Sequence, residues 1–137
     1  MTEVEALQAA LAGEHAALYG VGVAGGKLGG ARFRDATDTF SRHRDNRDHL
    51  SALVVAAGET PVAAEAAYDL PQAVVNAATA TALVLLIERR IAAVYGDLVE
   101  AAEQPAVRAF AIDSLLGTAS SQLTWGGAPL AFPGATA

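Results

Sequence analysis

The sequence predicts an all-α protein built from four long helices. Apolar residues recur at spacings of three and four positions through four segments, which is the pattern of helices that bury one face. No segment alternates apolar and polar residues as a half-buried strand does, and glycine or proline separates the periodic segments. With 137 residues and no cysteine, the chain is predicted to form a single domain, residues 1–137, that needs neither a disulfide nor a structural metal to fold.

The first two helices are predicted at about residues 2–28 and 32–57. Thr2 and Glu5 have the spacing of a capping box, in which the two side chains satisfy free amides of the first helical turn. Glycines between residues 13 and 26 weaken the first helix, each by about 1 kcal/mol relative to alanine. They also allow a neighbouring backbone to approach closely, which is the more common use of glycine in a packed helix.

The third and fourth helices are predicted at about residues 71–102 and 105–124. Pro71 and Pro105 stand at the expected first positions of these helices, where a missing amide hydrogen costs nothing. The third helix carries the widest apolar stripe and is predicted to be the most buried. A tail rich in glycine and proline, residues 125–137, follows the fourth helix.

The lengths of the connections predict the topology. Short turns between helices 1 and 2, and between helices 3 and 4, join antiparallel neighbours. Residues 58–70 can extend over about 45 Å, whereas a helix of 26 residues is about 39 Å long. Two antiparallel hairpins joined by one long crossover is the connectivity of ferritin-like four-helix bundles, although a simple up-down bundle with a folded loop satisfies the same lengths.

Charge and hydropathy exclude several function classes. The formal net charge of -6 argues against a general nucleic-acid binder, which needs a basic surface. The acidic start, residues 1–5, lacks the basic and apolar order of a secretory signal, and a cytoplasmic location is the expectation. The most apolar stretch, residues 73–87, is interrupted by polar side chains and is shorter than the roughly 20 residues that span a bilayer. No membrane association is predicted.

Polar residues interrupt the apolar stripe of each helix near its middle. Glu14 lies between two leucines of the first stripe, and Glu88 holds the equivalent position in the third. The inward pattern of the second helix passes through His43 and Arg47, and that of the fourth includes Ser114. Midpoints of antiparallel helices of similar length share a level, so these side chains are expected to meet in one polar layer.

Two buried glutamates require protons, a cation or hydrogen-bond donors. One solution is a metal: ferritin-like di-iron proteins use a Glu from each of two helices and a Glu-x-x-His motif from each of the other two. The second helix has no such motif, its closest match being Asn46 and His49, and the fourth helix has no histidine. A complete dinuclear ligand set therefore cannot be assembled.

The favoured solution is a metal-free network in which Arg47 lies between Glu14 and Glu88 while His43 adds a hydrogen bond. No cofactor is then expected. The alternative is a mononuclear iron or manganese site of Glu14, His43 and Glu88, with Asp113 or His15 as outside possibilities for a further ligand.

Several short motifs occur in the order found in a known group of proteins. The sequence resembles a small ferritin-like family of unknown function, and the resemblance is carried by residues 14–20, 43–48, 67–71, 86–88, 95–98 and 131–134. It implies the ferritin-like fold and implies that Glu14 and Glu88 match two carboxylate positions of that superfamily. It supplies no activity.

Two tyrosines are further candidates for the polar layer. Tyr19 and Tyr95 could donate hydroxyl hydrogen bonds to it, although packing in the core with one satisfied hydroxyl is commoner. The leading functional hypothesis is a non-enzymatic structural or binding module, paired as a homodimer through apolar residues left over from the third helix. A metal-dependent oxidoreductase or metal-storage protein is the alternative, and a bundle that binds an apolar ligand is a third possibility.

Overall fold

The computed structural model describes residues 1–135, and these residues contain four α-helices and no β-strand. The helices are α1 (Glu3–Gly25), α2 (Gly30–Ala56), α3 (Ala77–Ala101) and α4 (Pro105–Thr124). The all-α prediction is confirmed. No helix in this part of the chain is long and apolar enough to cross a membrane.

The four helices form a bundle in which each helix packs against two neighbours. α1 packs against α2 and α3, whereas α4 packs against α3 and more loosely against α2. α1 is antiparallel to α3, because Gly13 lies beside Ile91 and Gly20 lies beside Ile87. α1 is also antiparallel to α2, so α2 and α3 run in the same direction and occupy diagonal corners. The connection between them must therefore return along the bundle, which is the crossover arrangement expected from the connection lengths.

The capping box at the start of α1 is present as predicted. The backbone N–H of Thr2 donates to the Glu5 carboxylate at 2.7 Å, and the N–H of Glu5 donates to the Thr2 hydroxyl at 3.2 Å. The end of α1 differs from the prediction, because the helix ends at Gly25 rather than near residue 28. α2 begins at Gly30, whose φ of 56° is a left-handed conformation that favours glycine.

The start of α3 corrects the sequence prediction, which placed it at Pro71. The helix begins at Ala77 because Asn76 caps it: the Asn76 side-chain oxygen accepts from the N–H of Thr79 at 2.9 Å. The Thr79 hydroxyl accepts in return from the N–H of Asn76 at 3.1 Å. This reciprocal cap satisfies the first-turn amides and outweighs the preference of proline for a first helical position. The crossover consequently extends to Asn76 instead of ending at residue 70.

The crossover runs along the outer side of α1. The Gln8 side chain donates to the Thr60 carbonyl at 2.7 Å and accepts from the N–H of Val62 at 2.8 Å. The carbonyl oxygen of Val62 lies 3.0 Å from a ring nitrogen of His15. Further along, the rings of Tyr68 and Tyr19 are 5.8 Å apart. These contacts hold residues 60–68 of the crossover against α1.

The residues after α4 fold back onto the bundle. Trp125 is buried, its indole N–H donates to the Thr39 hydroxyl at 3.1 Å, and the Arg32 guanidinium lies 5.0 Å from the ring centroid. Gly134 has a φ of 84°, and a Cβ there would come within 2.4 Å of the Ala92 carbonyl oxygen. A glycine is therefore required where the tail lies on α3.

The apolar stripe of α3 is used inside the bundle. Val84, Ile87, Ile91 and Leu98 are all buried and leave no large apolar surface on that helix. The helices that carry exposed large apolar residues are instead α2, at Phe33 and Val55, and α4, at Ile112, Leu116 and Leu123. The residues that motivated the homodimer therefore do not supply its interface, and self-association stays a prediction.

Replacing the cap of α3 should lower stability without changing the fold. We expect Asn76→Ala to reduce the free energy of unfolding by about 1 kcal/mol, because it leaves a first-turn amide without its acceptor. Asn76→Asp keeps an acceptor and should stay close to the wild type. Urea denaturation monitored by circular dichroism measures both. Equal stabilities of the alanine and aspartate variants would show that the helix does not depend on this cap.

Candidate functional site

Three ionisable side chains from three helices meet in the middle of the bundle. Glu14 of α1, His43 of α2 and Glu88 of α3 are each 0% exposed. The His43 ring lies between the two carboxylates, with its Nδ1 2.5 Å from Glu14 Oε2 and its Nε2 in contact with Glu88 Oε1. We call these residues, together with Arg42 and Tyr95, the central cluster.

The arrangement requires a protonated histidine. An ionised carboxylate only accepts hydrogen bonds, so an imidazole that faces a carboxylate at each nitrogen must carry a hydrogen on both. Burial by itself lowers the pKa of His43, but the hydrogen bonds and charges of Glu14 and Glu88 outweigh it and raise the pKa to about 9. His43 is therefore an imidazolium at neutral pH.

Glu88 is held in its charged form by two cations. Burial raises its pKa, but the hydrogen bond and charge of His43, followed by the charge of Arg42, bring the pKa below the usual value for a glutamate. Arg42 Nη2 donates to Glu88 Oε2, and the Arg42 side chain is 26% exposed. Its Nη1 atom is buried and has no hydrogen-bond partner among residues 1–135.

Glu14 is satisfied by neutral donors in addition to His43. Its Oε1 atom accepts from the Tyr95 hydroxyl at 2.6 Å and from the Asn46 side-chain amide at 3.2 Å. Tyr95 is completely buried, and burial together with the nearby Glu14 charge raises its pKa, so it remains a hydrogen-bond donor. Two carboxylates, one imidazolium and one guanidinium leave the central cluster with no formal net charge.

The cation beside Glu88 is Arg42 and not Arg47, which corrects the sequence prediction. Arg47 lies outside the central cluster, where its guanidinium contacts Asp48 at 2.8 Å with a third of its side chain exposed. The helical stripe places His43 on the inward face, and its ring already fills the space between the carboxylates. Arg42 reaches Glu88 from the flank of α2 because its side chain is long and flexible, and it passes beside Gly117 of α4.

Of the other sequence candidates, three lie away from the cluster and one lies beside it. Tyr19 packs against the crossover tyrosine rather than donating to Glu14. Asp113 is exposed on α4, and His15 contacts the crossover backbone. Ser114 is buried close to the Tyr95 hydroxyl, as its influence on the pKa of Tyr95 indicates.

Sequence reasoning did not place Arg42 or Asn46 in the polar layer. Asn46 follows His43 by three positions, and such residues share a helix face, so the spacing could have identified it. Arg42 precedes His43 directly and has no such signal, because adjacent residues point about 100° apart around a helix.

The central cluster does not fit a metal ion. A histidine with hydrogens on both nitrogens has no lone pair to give to a metal, and Arg42 adds a second positive charge beside Glu88. The two carboxylates contact opposite edges of the His43 ring instead of converging on one point. Within residues 1–135, no group of three or more acidic, histidine or cysteine side chains has a geometry that could hold a metal ion.

The charge of His43 makes stability depend on pH. The pKa of 6.5 expected for an unfolded histidine rises to about 9 in the folded chain. The stabilisation that His43 contributes is therefore fully present below the unfolded pKa and is lost as the pH rises through the folded pKa. We expect the free energy of unfolding, measured by urea denaturation, to fall across this interval. His43→Gln should remove that slope, whereas replacing the exposed His49 by glutamine should keep it. A slope unchanged by His43→Gln would mean that His43 is not charged.

The two arginines of α2 should differ sharply when each is replaced by leucine. Arg42→Leu leaves Glu88 with one cation fewer and should cost about 2 to 4 kcal/mol, below the full value for a buried pair because Arg42 is partly exposed. Arg47→Leu should change stability by less than about 0.5 kcal/mol. Chemical denaturation of both variants tests which arginine pairs with Glu88. A larger loss of stability in Arg47→Leu than in Arg42→Leu would mean that Arg47 belongs to the central cluster.

Comparisons with known proteins identify relatives without a described activity. The chain is similar to the crystal structure of a conserved hypothetical protein from Mycobacterium tuberculosis, with a TM-score of 0.87 and 33% sequence identity over 90% of this chain and 87% of that chain. No protein of curated function gives a match. A family described as a domain of unknown function (DUF4439) matches residues 6–137. Because that match covers nearly the whole chain, the protein belongs to the DUF4439 family.

Proposed function

We propose that this protein is a ferritin-like domain without a dinuclear metal centre that acts as a non-enzymatic structural or binding module. The observation that carries the proposal is the position of His43, whose ring nitrogens contact Glu14 on one side and Glu88 on the other. In di-iron proteins of this architecture, inward carboxylates and histidines are ligands of the metals. In this chain an imidazolium supplies the positive charge.

Charge balance supports the absence of a resident cation. Isolated buried charges cost several kcal/mol each unless they are paired and hydrogen bonded. Glu14 and Glu88 are already balanced by His43 and Arg42, and Tyr95 and Asn46 both donate to Oε1 of Glu14. A divalent metal would add charge to a neutral cluster and would first have to displace the proton of His43.

Burial supports a structural rather than a catalytic role for the cluster. Glu14, His43, Glu88 and Tyr95 are each 0% exposed, so a substrate cannot contact their polar atoms without separating the helices. A general acid or base must come within hydrogen-bond distance of the reacting group. Stabilising the bundle and fixing the relative positions of its helices require no such access.

The alternative function is a metal-dependent oxidoreductase or a metal-storage protein that uses iron or manganese. It is favoured by the meeting of three side chains of ligand type, Glu14, His43 and Glu88, from three helices. This function requires His43 to lose a proton and its ring to move out of the space between the carboxylates. Metal binding measured near neutral pH therefore separates the two functions.

We expect the purified protein, loaded with Fe²⁺ or Mn²⁺ and then desalted, to retain much less than one metal ion per chain by elemental analysis. Its midpoint of thermal unfolding should be the same with and without the metal, because a ligand that binds only the folded state would raise it. His15→Ala serves as a control for metal held by a surface histidine. Stoichiometric metal that is retained by His15→Ala and lost in Glu88→Ala would establish the alternative function.

A further inference from the structure

We propose that a cleft beneath the crossover binds a small zwitterionic molecule with an apolar side chain, such as an aliphatic amino acid. The cleft is separate from the central cluster and lies between α1, α3 and the crossover residues 68–71. The inference goes beyond the proposed module by giving it a ligand class. Binding of a metal in the central cluster would not contradict the proposed ligand site in the cleft.

The floor of the cleft is apolar and is formed by two helices. α1 contributes small residues and α3 contributes branched aliphatic ones; they are Gly13, Ala16, Ala17, Ile87, Ile91 and Val94. The crossover covers this surface without filling it, because the small side chains of α1 leave space below residues 68–71. The resulting cavity has a volume of about 190 Å³.

The volume limits the size of the ligand. Sites for drug-sized molecules have volumes of about 300–1,000 Å³, so a nucleotide or a large organic cofactor does not fit a cavity of about 190 Å³. An apolar cavity of about 150 Å³ accepts benzene. The cleft therefore suits a branched aliphatic chain or a single ring.

Two opposite charges select the polar part of the ligand. Arg90 of α3 and Asp69 of the crossover both line the cleft and are both exposed. Within residues 1–135 neither forms an ion pair, with the other or with any other side chain. The planar guanidinium of Arg90 matches a carboxylate, and the Asp69 carboxylate accepts hydrogen bonds from an ammonium group.

A zwitterion with an apolar side chain satisfies all three surfaces at once. Its apolar group would lie on the floor while its carboxylate contacts Arg90 and its ammonium group contacts Asp69. A purely apolar molecule would leave both charges unused, and a simple carboxylic acid would lie near Asp69 with a repelling charge of the same sign. The ligand would join residues 68–71 of the crossover to α3. Among the described residues, no hydrogen bond connects the side chains of residues 68–71 with those of α3.

The test is a titration of the ¹⁵N-labelled protein with L-leucine, followed by amide chemical shifts. The comparison ligands are 4-methylpentanoate, which lacks the ammonium group, and 3-methylbutylamine, which lacks the carboxylate. We expect L-leucine to shift the amides of Gly13, Ala17 and Val94 and to bind at least about tenfold more tightly than either comparison ligand, since each lost charged hydrogen bond costs about that factor.

Matched variants locate the binding site. Arg90→Gln and Asp69→Asn should each weaken L-leucine binding by at least about tenfold. Arg89→Gln removes a neighbouring exposed arginine that does not line the cleft and should bind like the wild type. Ala16→Leu fills the cleft and should abolish binding while the amide spectrum remains that of a folded bundle.

Three results would overturn the proposal. The first is that L-leucine changes no amide chemical shift. The second is that Arg90→Gln and Arg89→Gln bind L-leucine equally tightly. The third is that the wild type binds 4-methylpentanoate as tightly as L-leucine. None of them depends on the metal content of the protein, so the proposal fails or stands independently of the function proposed for the central cluster.

Discussion

The bundle depends on an imidazolium held between two buried carboxylates. α2 and α3 occupy diagonal corners and do not pack against each other, yet His43 connects them by contacting Glu88, and it connects both to α1 through Glu14. Sliding one helix by a single turn, about 5.4 Å, would leave a carboxylate without its cation. Because an unpaired buried charge is much more costly than a lost apolar contact, the cluster strongly favours one register of the three helices.

Much of this arrangement follows from the periodicity of the sequence. Glu14, His43 and Glu88 each continue an inward stripe, and a buried polar residue at such a position must find a partner. Tyr95 follows Glu88 by seven positions and therefore shares its face, whereas Tyr19 follows Glu14 by five and points about 140° away around the helix. The same periodicity that places Tyr95 in the cluster thus excludes Tyr19.

The identity of the cation could not be predicted in this way. Periodicity describes where a Cβ atom points, and a guanidinium on a long flexible side chain can lie far from that direction. Arg47 has the better spacing, but the position between the two carboxylates is occupied by the His43 ring. Arg42 has the poorer spacing and reaches Glu88 from the side, past a glycine of α4. The start of α3 also differs from the prediction, because the side chains of Asn76 and Thr79 determine it locally and the proline at residue 71 does not.

The small residues of α1 serve two purposes that the sequence does not distinguish. A Cβ on Gly20 would lie 2.5 Å from Ile87 Cδ1, so the Ile87 side chain packs directly against α1 there and would have to shift for any larger residue. Ala16, one turn earlier, lines the cleft below the crossover, where a larger side chain would occupy open space rather than displace a helix. Close packing therefore explains Gly20 but places no limit on the size of residue 16. The crossover covers that position without filling it, and it is held to α1 on either side of residue 16, by Gln8 before it and Tyr19 after it.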